Sequence, residues 1–336
     1  MADKTGIAWA DATINPCAGC SPVSPACDHC YAARMAHRLA ANIKIPPYFA
    51  GLTDDAGKWT GKVNLHPHLM KQVLRWQKPR KIFVGSMTDL FHEAVPDEFL
   101  DQVFAYMALA PQHTFLLLTK RPARMKEYVL GLQNDPEQAW RFEQQMQTAP
   151  NPLHRIALGF RRGKPLPNVW LGVTAENQAL ADARIPILLE TPAAARFVSV
   201  EPMLGKMDLT TIANPEAYDV EVGLLDSLRG MTCDDAPTHP ALDWVIAGGE
   251  TGPGARPMHP DWLRSLRDQC AAASVPFFFK QWGEYAPCPA GKCTEVDPAC
   301  KSLNEDFGSA VCRVGKHAAG RLLDGQEWNE FPEVRP

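Results

Sequence analysis

The strongest constraint on the fold is a repeated alternation between short apolar runs and amphipathic stretches. Six runs rich in β-branched and aromatic residues predict buried strands: IFV at 82–84, TFLLL at 114–118, VWLGV at 169–173, FVSV at 197–200, WVIA at 244–247 and VPFFF at 275–279. Between them, PDEFLDQVFAYMAL at 96–109 and PDWLRSLRDQCAAA from residue 260 repeat apolar residues at helical spacing. Strands that alternate with helices predict right-handed βαβ units and a parallel sheet.

The fold class that follows from this alternation is α/β, and a seventh strand is expected before the first cysteines. We predict a full or partial parallel (β/α) TIM-like barrel over residues 1–285, with insertions at about 131–167 and 208–241. A loop-rich C-terminal appendage is expected over residues 286–336. The alternative architecture is a doubly wound open sheet, although no glycine-rich dinucleotide motif follows an early strand.

Composition and charge narrow the class of protein. Hydrophobic residues make up 46% of the chain and charged residues 21%, which is typical of a globular protein rather than a disordered one. The net charge of -4 argues against a protein that coats nucleic acid through bulk electrostatics. The first residues lack a signal-like pattern, and no run reaches the roughly 18 apolar residues of a membrane span. We therefore expect a cytoplasmic protein with no membrane partner.

Four of the ten cysteines lie between residues 17 and 30. In NPCAGCSPVSPACDHCYAARMAHRLA at 15–40, two cysteine pairs with two-residue gaps favour sulfurs that converge on one metal centre. The spacing alone leaves three kinds of site open: a four-cysteine zinc site, an iron–sulfur cluster and a redox dithiol. Helix formers follow Cys30, so this cysteine is expected at a helix start, where the dipole favours negative charge.

A second group of cysteines lies near the C-terminus, at Cys288, Cys293, Cys300 and Cys312. Disulfides are rare in a reducing compartment, so these four are interpreted as unligated thiols. An auxiliary cluster or a zinc site is the alternative interpretation.

Polar residues follow the predicted strands. Ligands of parallel barrels sit at the carboxyl ends of the strands, so these residues predict a shared pocket. They are Ser86, Thr88, Asp89, Thr119, Lys120, Thr174, Glu176, Asn177, Ser199, Glu201, Gly248, Gly249, Glu250, Lys280 and Gln281. Basic residues near the strand ends favour an anionic substrate, such as a nucleotide or a nucleic acid. These basic residues are Lys120, Arg121, Arg124, Lys280, KPRK at 78–81 and RRGK at 161–164.

A cysteine loop that follows a first strand and opens a first helix resembles the loop of the radical S-adenosylmethionine (radical SAM) superfamily. That superfamily uses three cysteines, often with an aromatic residue after the third, as Tyr31 stands after Cys30. Its commonest spacing places three residues between the first two cysteines. The six residues between Cys20 and Cys27 depart from that pattern, whereas the two between Cys27 and Cys30 fit it.

Longer blocks are similar to a phage- and prophage-associated family of unassigned function that is known for a three-cysteine motif. The blocks are GCSPVSPACDHCYA, WTGKVNLHP, SMTDLFHE, APQHTFLLLTKRP, WLGVTAENQ, RFVSVEPML, WVIAGGETGPGARPMHPDW, FFFKQWGE and VGKHAAGRLLDG. In that family the position of Cys17 is commonly not cysteine. The resemblance therefore implies three metal ligands, Cys20, Cys27 and Cys30.

The resemblance also implies a function. Three cysteines would hold a 4Fe-4S cluster with one open iron, where S-adenosylmethionine binds and is cleaved by an electron from a reducing donor. The 5′-deoxyadenosyl radical would then act on an unknown substrate, for which a nucleotide or a nucleic acid is the candidate class. SMTD at 86–89 stands where the superfamily has its GGE motif, which implies that Ser86, Thr88 and Asp89 contact the methionine amino group. Position alone assigns the ribose or substrate side to Glu176, Asn177, Ser199 and Glu201. The alternative is a zinc-stabilised, four-cysteine module that binds nucleic acid or protein without catalysis.

Overall fold

The computed structural model describes residues 5–42, 44, 46–147, 164–213, 224–232, 239–288, 300–302 and 310–333. The chain divides into two compact units. Unit 1 contains residues 1–24, 30–173 and 190–196, and unit 2 contains residues 25–29, 174–189 and 197–336. Among the helices of the described ranges, none is long and apolar enough to cross a membrane.

Seven parallel strands carry the mixed α/β fold. They are β1 (Ala12–Ile14), β2 (Lys81–Val84), β3 (Thr114–Thr119), β4 (Val169–Thr174), β5 (Ala195–Val200), β6 (Trp244–Gly248) and β7 (Phe277–Gln281). Their order in the sheet follows the chain. In unit 1, β1 pairs with β2, β2 with β3 and β3 with β4; in unit 2, β5 pairs with β6 and β6 with β7.

This strand order decides between the two predicted architectures. A doubly wound sheet reverses its strand order at a switch point, whereas a barrel adds strands in chain order. The observed order agrees with a partial parallel barrel, and the pairings of the described strands do not close a full one. Every residue of β4 and β6 is buried, as expected for parallel strands that are covered on both faces.

Helices lie between most of these strands, whereas the described residues between β5 and β6 contain short strands and no helix. The helices are α1 (Tyr31–Ala40), α2 (Asp97–Ala108), α3 (Pro122–Asn134), α4 (Pro136–Gln147), α5 (Gln178–Glu190), α6 (Pro260–Ala273) and the short α7 (Lys316–Ala319). The helices expected at 96–109 and from 260 are confirmed by α2 and α6. Asp97 and Glu98 occupy the first turn of α2, where negative charge interacts favourably with the helix dipole.

Shorter elements complete the fold. 3-10 helices span Pro25–Cys27 and Pro67–Arg75, and Cys17–Ala18 pairs with Asn64–Leu65. One small antiparallel sheet, inside the insertion predicted at 208–241, contains Ile212–Ala213, Leu224–Asp226 and Met231–Thr232. Another contains Tyr285–Pro287, Cys300–Ser302 and Ala310–Arg313. The insertion predicted at 131–167 includes α4, and its residues 148–163 lie outside the described residues.

The interpretation of the C-terminal cysteines as unligated thiols is wrong for two of them. Cys288 and Cys312 form a disulfide, with their Cα atoms 5.7 Å apart. Antiparallel pairing of Ala286 with Cys312 brings the two cysteines within the range that a disulfide spans. The prediction for Cys293 lies outside the described residues.

Candidate functional site

The cysteine segment, residues 17–30, follows β1 and begins with a short stretch of backbone pairing. Cys17–Ala18 pairs in antiparallel fashion with Asn64–Leu65. Gly19 comes next with a φ of 109°, and a Cβ atom there would lie 2.1 Å from the carbonyl oxygen of Lys62. Only glycine tolerates both this backbone conformation and this close approach. Backbone sterics therefore fix the direction in which the chain reaches Cys20.

Cys17 differs from the other early cysteines because its side chain is fully buried. Its Sγ donates to Thr88 Oγ1 at 3.7 Å. Burial raises the pKa of Cys17 to about 12, and the hydrogen bond to Thr88 offsets only part of that rise. Metal-binding cysteines act as thiolates, so the environment of Cys17 does not suit a metal ligand.

Cys20, Cys27 and Cys30 are not joined in disulfides, and each is partly exposed. In unit 1, Arg121 Nη1 lies 3.8 Å from Cys20 Sγ, and a neighbouring guanidinium favours a thiolate. Cys30 is the N-cap residue of α1, as predicted, and a helix N-terminus also favours negative charge. The three residues therefore suit thiolate ligation in their chemistry.

Within the part of the chain that the structure describes, no group of three or more His, Cys, Asp or Glu side chains could hold a metal ion. The fit of Cys20, Cys27 and Cys30 to a cluster thus rests on their exposure and their electrostatic surroundings.

Arg121 lies at the centre of a charge cluster beside Cys20. Its Nη1 donates to Asp89 Oδ2 at 3.2 Å and its Nε to Glu93 Oε1 at 2.9 Å. Its Nη2 donates to Ser21 Oγ at 2.7 Å and to the carbonyl oxygen of Ser21 at 3.2 Å. Burial lowers the pKa of Arg121, but Asp89 and the thiol of Cys20 outweigh this effect and raise it. The guanidinium therefore stays charged and holds the backbone next to Cys20.

Asp89, which the resemblance assigns to the methionine amino group, is engaged within the protein. Its carboxylate accepts from Thr119 Oγ1 at 2.6 Å and from the backbone N–H groups of Phe91 and Lys120 at 3.1 and 2.9 Å. Arg121 is a fourth donor. The carboxylate thus ties the end of β3 to the loop after β2 and orients Arg121.

The rest of the SMTD turn contacts the cysteine segment directly. Thr88 Oγ1 donates to the carbonyl oxygen of Gly19 at 2.7 Å. Ser86 Oγ donates to Asn15 Oδ1 at 3.1 Å, and Tyr31 OH donates to the carbonyl oxygen of Ser86 at 2.6 Å. The ring of Tyr31 is nevertheless 47% exposed. Residues before and after the cysteines are therefore tied to the same turn in unit 1.

In unit 2, Glu250 of the GGE motif at 248–250 holds the segment that contains Cys27. Glu250 accepts from Arg256 Nε at 2.9 Å and from Arg256 Nη2 at 2.5 Å, and it lies 3.2 Å from His29 Nδ1. Arg256 Nη2 also donates to the carbonyl oxygen of Pro25 at 2.9 Å. Burial would raise the pKa of Glu250, but the hydrogen bonds from Arg256 and His29 lower it overall. Sequence analysis did not identify Arg256 or His29 as part of the site.

Two of the residues assigned to the ribose or substrate side have structural partners in unit 2. Glu176 is fully buried and pairs with Arg184 Nη1 at 3.1 Å. Arg184 also donates to the carbonyl oxygen of Thr174 at 2.7 Å. Asn177 Oδ1 accepts from the N–H of Leu180 at 3.0 Å, which caps the start of α5.

The remaining two predicted residues lie at the end of β5. Ser199 is 2% exposed, and Glu201 forms an ion pair with Lys280 Nζ at 2.7 Å. Arg124, another base expected near an anionic substrate, pairs with Asp97. Lys280 and Arg124, two of the basic residues expected near an anionic substrate, therefore both have acidic partners in the protein. In RRGK at 161–164, only the lysine lies among the described residues.

Comparison with known proteins gives a family without an assigned activity. A family model described as "Protein of unknown function (DUF5131)" matches residues 4–332. No curated protein matches the chain, and no solved structure matches it. Since the match covers almost the whole sequence, the chain belongs to the DUF5131 family of proteins of unknown function.

Proposed function

We propose that this chain is a radical SAM enzyme in which Cys20, Cys27 and Cys30 hold a 4Fe-4S cluster. The observation that carries the proposal is the contrast between these cysteines and Cys17. Cys17 is buried with a raised pKa, whereas the other three are partly exposed. Three available thiolates rather than four would leave one iron without a protein ligand.

The cofactor chemistry of such a site is the one-electron reductive cleavage of S-adenosylmethionine. The protein's part is to orient the ligands and to balance charge. Arg121 places a buried positive charge beside Cys20, and the N-terminus of α1 supplies a partial positive charge at Cys30. In unit 2, Arg256 and Glu250 fix the backbone at Pro25, two residues before Cys27.

Contacts to the methionine end of S-adenosylmethionine are assigned to Ser86 and Thr88. Ser86 is partly exposed and its hydroxyl has spare acceptor capacity, because in its bond to Asn15 it acts as the donor. Asp89 has four donors around its carboxylate, so its proposed role is to orient Arg121. Glu201, paired with Lys280, is the proposed residue for the substrate side.

The proposal requires the cysteine segment to close when the cluster is loaded. No metal-binding group of three is assembled among the described residues, and metal sites commonly complete their geometry only on binding. Loading should therefore be measurable as a structural change as well as a change in colour.

The test is the metal content and electron-spin spectrum of the full chain, purified and reconstituted without oxygen. We expect iron and sulfide in equal amounts, a spectrum that changes when S-adenosylmethionine is added to the reduced protein, and release of 5′-deoxyadenosine. Cys17→Ser should retain the cluster, whereas Cys27→Ser should lose it.

The matched pair of variants also tests the alternative function. A four-cysteine zinc module predicts a colourless, zinc-containing protein in which Cys17→Ser and Cys27→Ser lose the metal equally. That result would overturn the radical SAM proposal.

A further inference from the structure

Charge is distributed unevenly along the chain. Residues 30–88, all in unit 1, contain ten Lys and Arg but only two Asp and no Glu, which gives this segment a net charge of +8. The whole chain has a net charge of -4, so the remaining residues carry -12. Charge asymmetry of this size marks a surface that attracts an anionic partner.

Seven of these bases form what we call the basic surface. All seven are exposed, and within the described ranges none of them forms a salt bridge; they are Arg38, Lys44, Lys58, Lys62, Lys71, Arg75 and Lys78. By contrast, Arg121, Arg256 and Arg264 each pair with an acidic side chain. A set of unpaired like charges repels itself, and an anionic ligand would relieve that repulsion.

Contacts within unit 1 join the parts of the basic surface. His37 Nδ1, next to Arg38, lies 3.2 Å from Thr53 Oγ1 in the loop that leads to Lys58. Asn64 Nδ2, two residues after Lys62, donates to the carbonyl oxygens of residues 48 and 50 at 3.1 Å each. The segments that carry Arg38, Lys58 and Lys62 are therefore packed together, although they are separated in sequence.

Aromatic rings accompany these bases. The ring of Tyr48 lies 4.4 Å from that of His66 and 6.0 Å from that of His68, between centroids. His68 is exposed, and Lys71 follows it one helical turn later. Basic side chains interleaved with accessible aromatic rings are typical of proteins that bind single-stranded nucleic acid. In such proteins the phosphates contact the cationic side chains and the nucleobases stack on the rings.

The basic surface lies next to the cysteine segment. The carbonyl oxygen of Lys62 lies against Gly19, directly before Cys20. Phe49 and Trp59 pack with Cys30 against a small hydrophobic cluster that includes residues of α1. A polymer bound to this surface would therefore run close to two of the proposed ligands.

We infer that the basic surface binds the phosphate backbone of a single-stranded nucleic acid. An anionic membrane offers similar charge, but the rings of Tyr48, His66 and His68 favour the strand because nucleobases stack on such rings. That the bound strand is also the substrate rests on the function proposed above, whereas binding itself requires neither iron nor S-adenosylmethionine.

The test is fluorescence anisotropy of a labelled single strand of about 20 nucleotides, titrated with the full chain from about 50 to 200 mM salt. Lys58→Gln/Lys62→Gln/Lys71→Gln removes three exposed charges from the surface. The control, Lys206→Gln/Arg313→Gln/Lys316→Gln, removes three exposed charges elsewhere. Three lost phosphate contacts should weaken binding on the order of 100-fold near 0.1 M salt and reduce the salt slope by about 2. The control should bind within about 3-fold of the unchanged chain.

Three outcomes would overturn the inference: no binding at low salt, equal weakening in both triple variants, or tighter binding to phosphatidylserine vesicles than to the strand. Thermal melts of both variants establish that they are folded. A chain that binds the strand but contains no iron would contradict the proposed enzyme and leave this inference standing. A chain that holds a cluster but does not bind nucleic acid would support the proposed enzyme and contradict this inference.

Discussion

Two arginines hold the cysteine segment, and each does so through a carboxylate. Arg121 is oriented by Asp89 and reaches Cys20, while Arg256 is oriented by Glu250 and reaches the backbone at Pro25. The contacts of these two arginines with the cysteine segment could not be predicted from the sequence, because the arginines lie about 100 and 231 residues away from it along the chain. Sequence analysis found Asp89 and the GGE motif as polar residues after strands, but their partners depend on tertiary structure.

Replacement of Arg121 by alanine should destabilise the protein strongly. The variant leaves the 7% exposed side chain of Asp89 without its cation, and breaking a buried ion pair costs about 3–5 kcal/mol. Arg124→Ala, one turn further along, is the control, because its partner Asp97 is partly exposed and such pairs contribute about 0–1 kcal/mol. Urea unfolding of both variants measures the difference. Equal losses of stability would contradict the role given to Arg121.

The carboxylate of Glu250 should make stability dependent on pH in the acidic range. Its pKa is lowered from the ordinary 4.5, so its stabilising effect is complete above that value and is lost as pH falls through the lower folded value. Glu250→Gln should cost about 2 kcal/mol near pH 7, since hydrogen bonds to charged groups contribute about 1.5–3 kcal/mol. The gap between the two proteins should close below the folded pKa. A gap that stays constant from pH 7 to pH 3 would show that the charge of Glu250 is unimportant.

At the scale of elements, the periodicity of apolar residues was sufficient to predict the strands and helices that repeat a pattern. All six predicted apolar runs lie in parallel strands, but β7 begins at Phe277 rather than Val275. Pro276 lacks an N–H for the strand ladder, and Val275 N bonds back to Cys270 at the end of α6. The pairing of Cys17–Ala18 with Asn64–Leu65 was not predictable, because two-residue strands have no period and their partners are distant in sequence.

That short pairing depends on one glycine, and replacing it should be costly. Gly19→Ala places a Cβ 2.1 Å from the carbonyl oxygen of Lys62 and requires alanine at a φ of 109°. We expect a loss of more than about 3 kcal/mol, because the clash adds to a backbone strain of about 1–2 kcal/mol.

Gly61→Ala is the matched control for this element. Gly61 also has a positive φ, of 82°, but no atom lies within 4 Å of a Cβ built there. This variant should lose only the backbone strain, about 1–2 kcal/mol. Denaturant unfolding compares the two, and a Gly61→Ala variant as unstable as Gly19→Ala would remove the argument from close approach.

At the scale of the whole molecule, chain-order parallel strands follow from the alternation of apolar runs and helices. The chemistry of the cysteine segment follows less directly. The spacing of the cysteines left undecided whether three or four of them bind the metal. Only the burial of Cys17 against Thr88 distinguishes that thiol from the other three. Likewise, the net charge of -4 concealed a segment of +8, because an average over the chain does not report where the charges lie.

Loading of the proposed cluster should stabilise the whole chain. A ligand that binds only the folded state adds about 2.7 kcal/mol when its concentration is 100 times its dissociation constant. For a chain of 336 residues this corresponds to a rise in Tm of about 4 °C. Anaerobic melts before and after reconstitution should show this rise in the unchanged chain and in Cys17→Ser, but not in Cys30→Ser. If Cys17→Ser also failed to gain stability, Cys17 would have to be counted among the ligands, and the open iron on which the proposed chemistry depends would be lost.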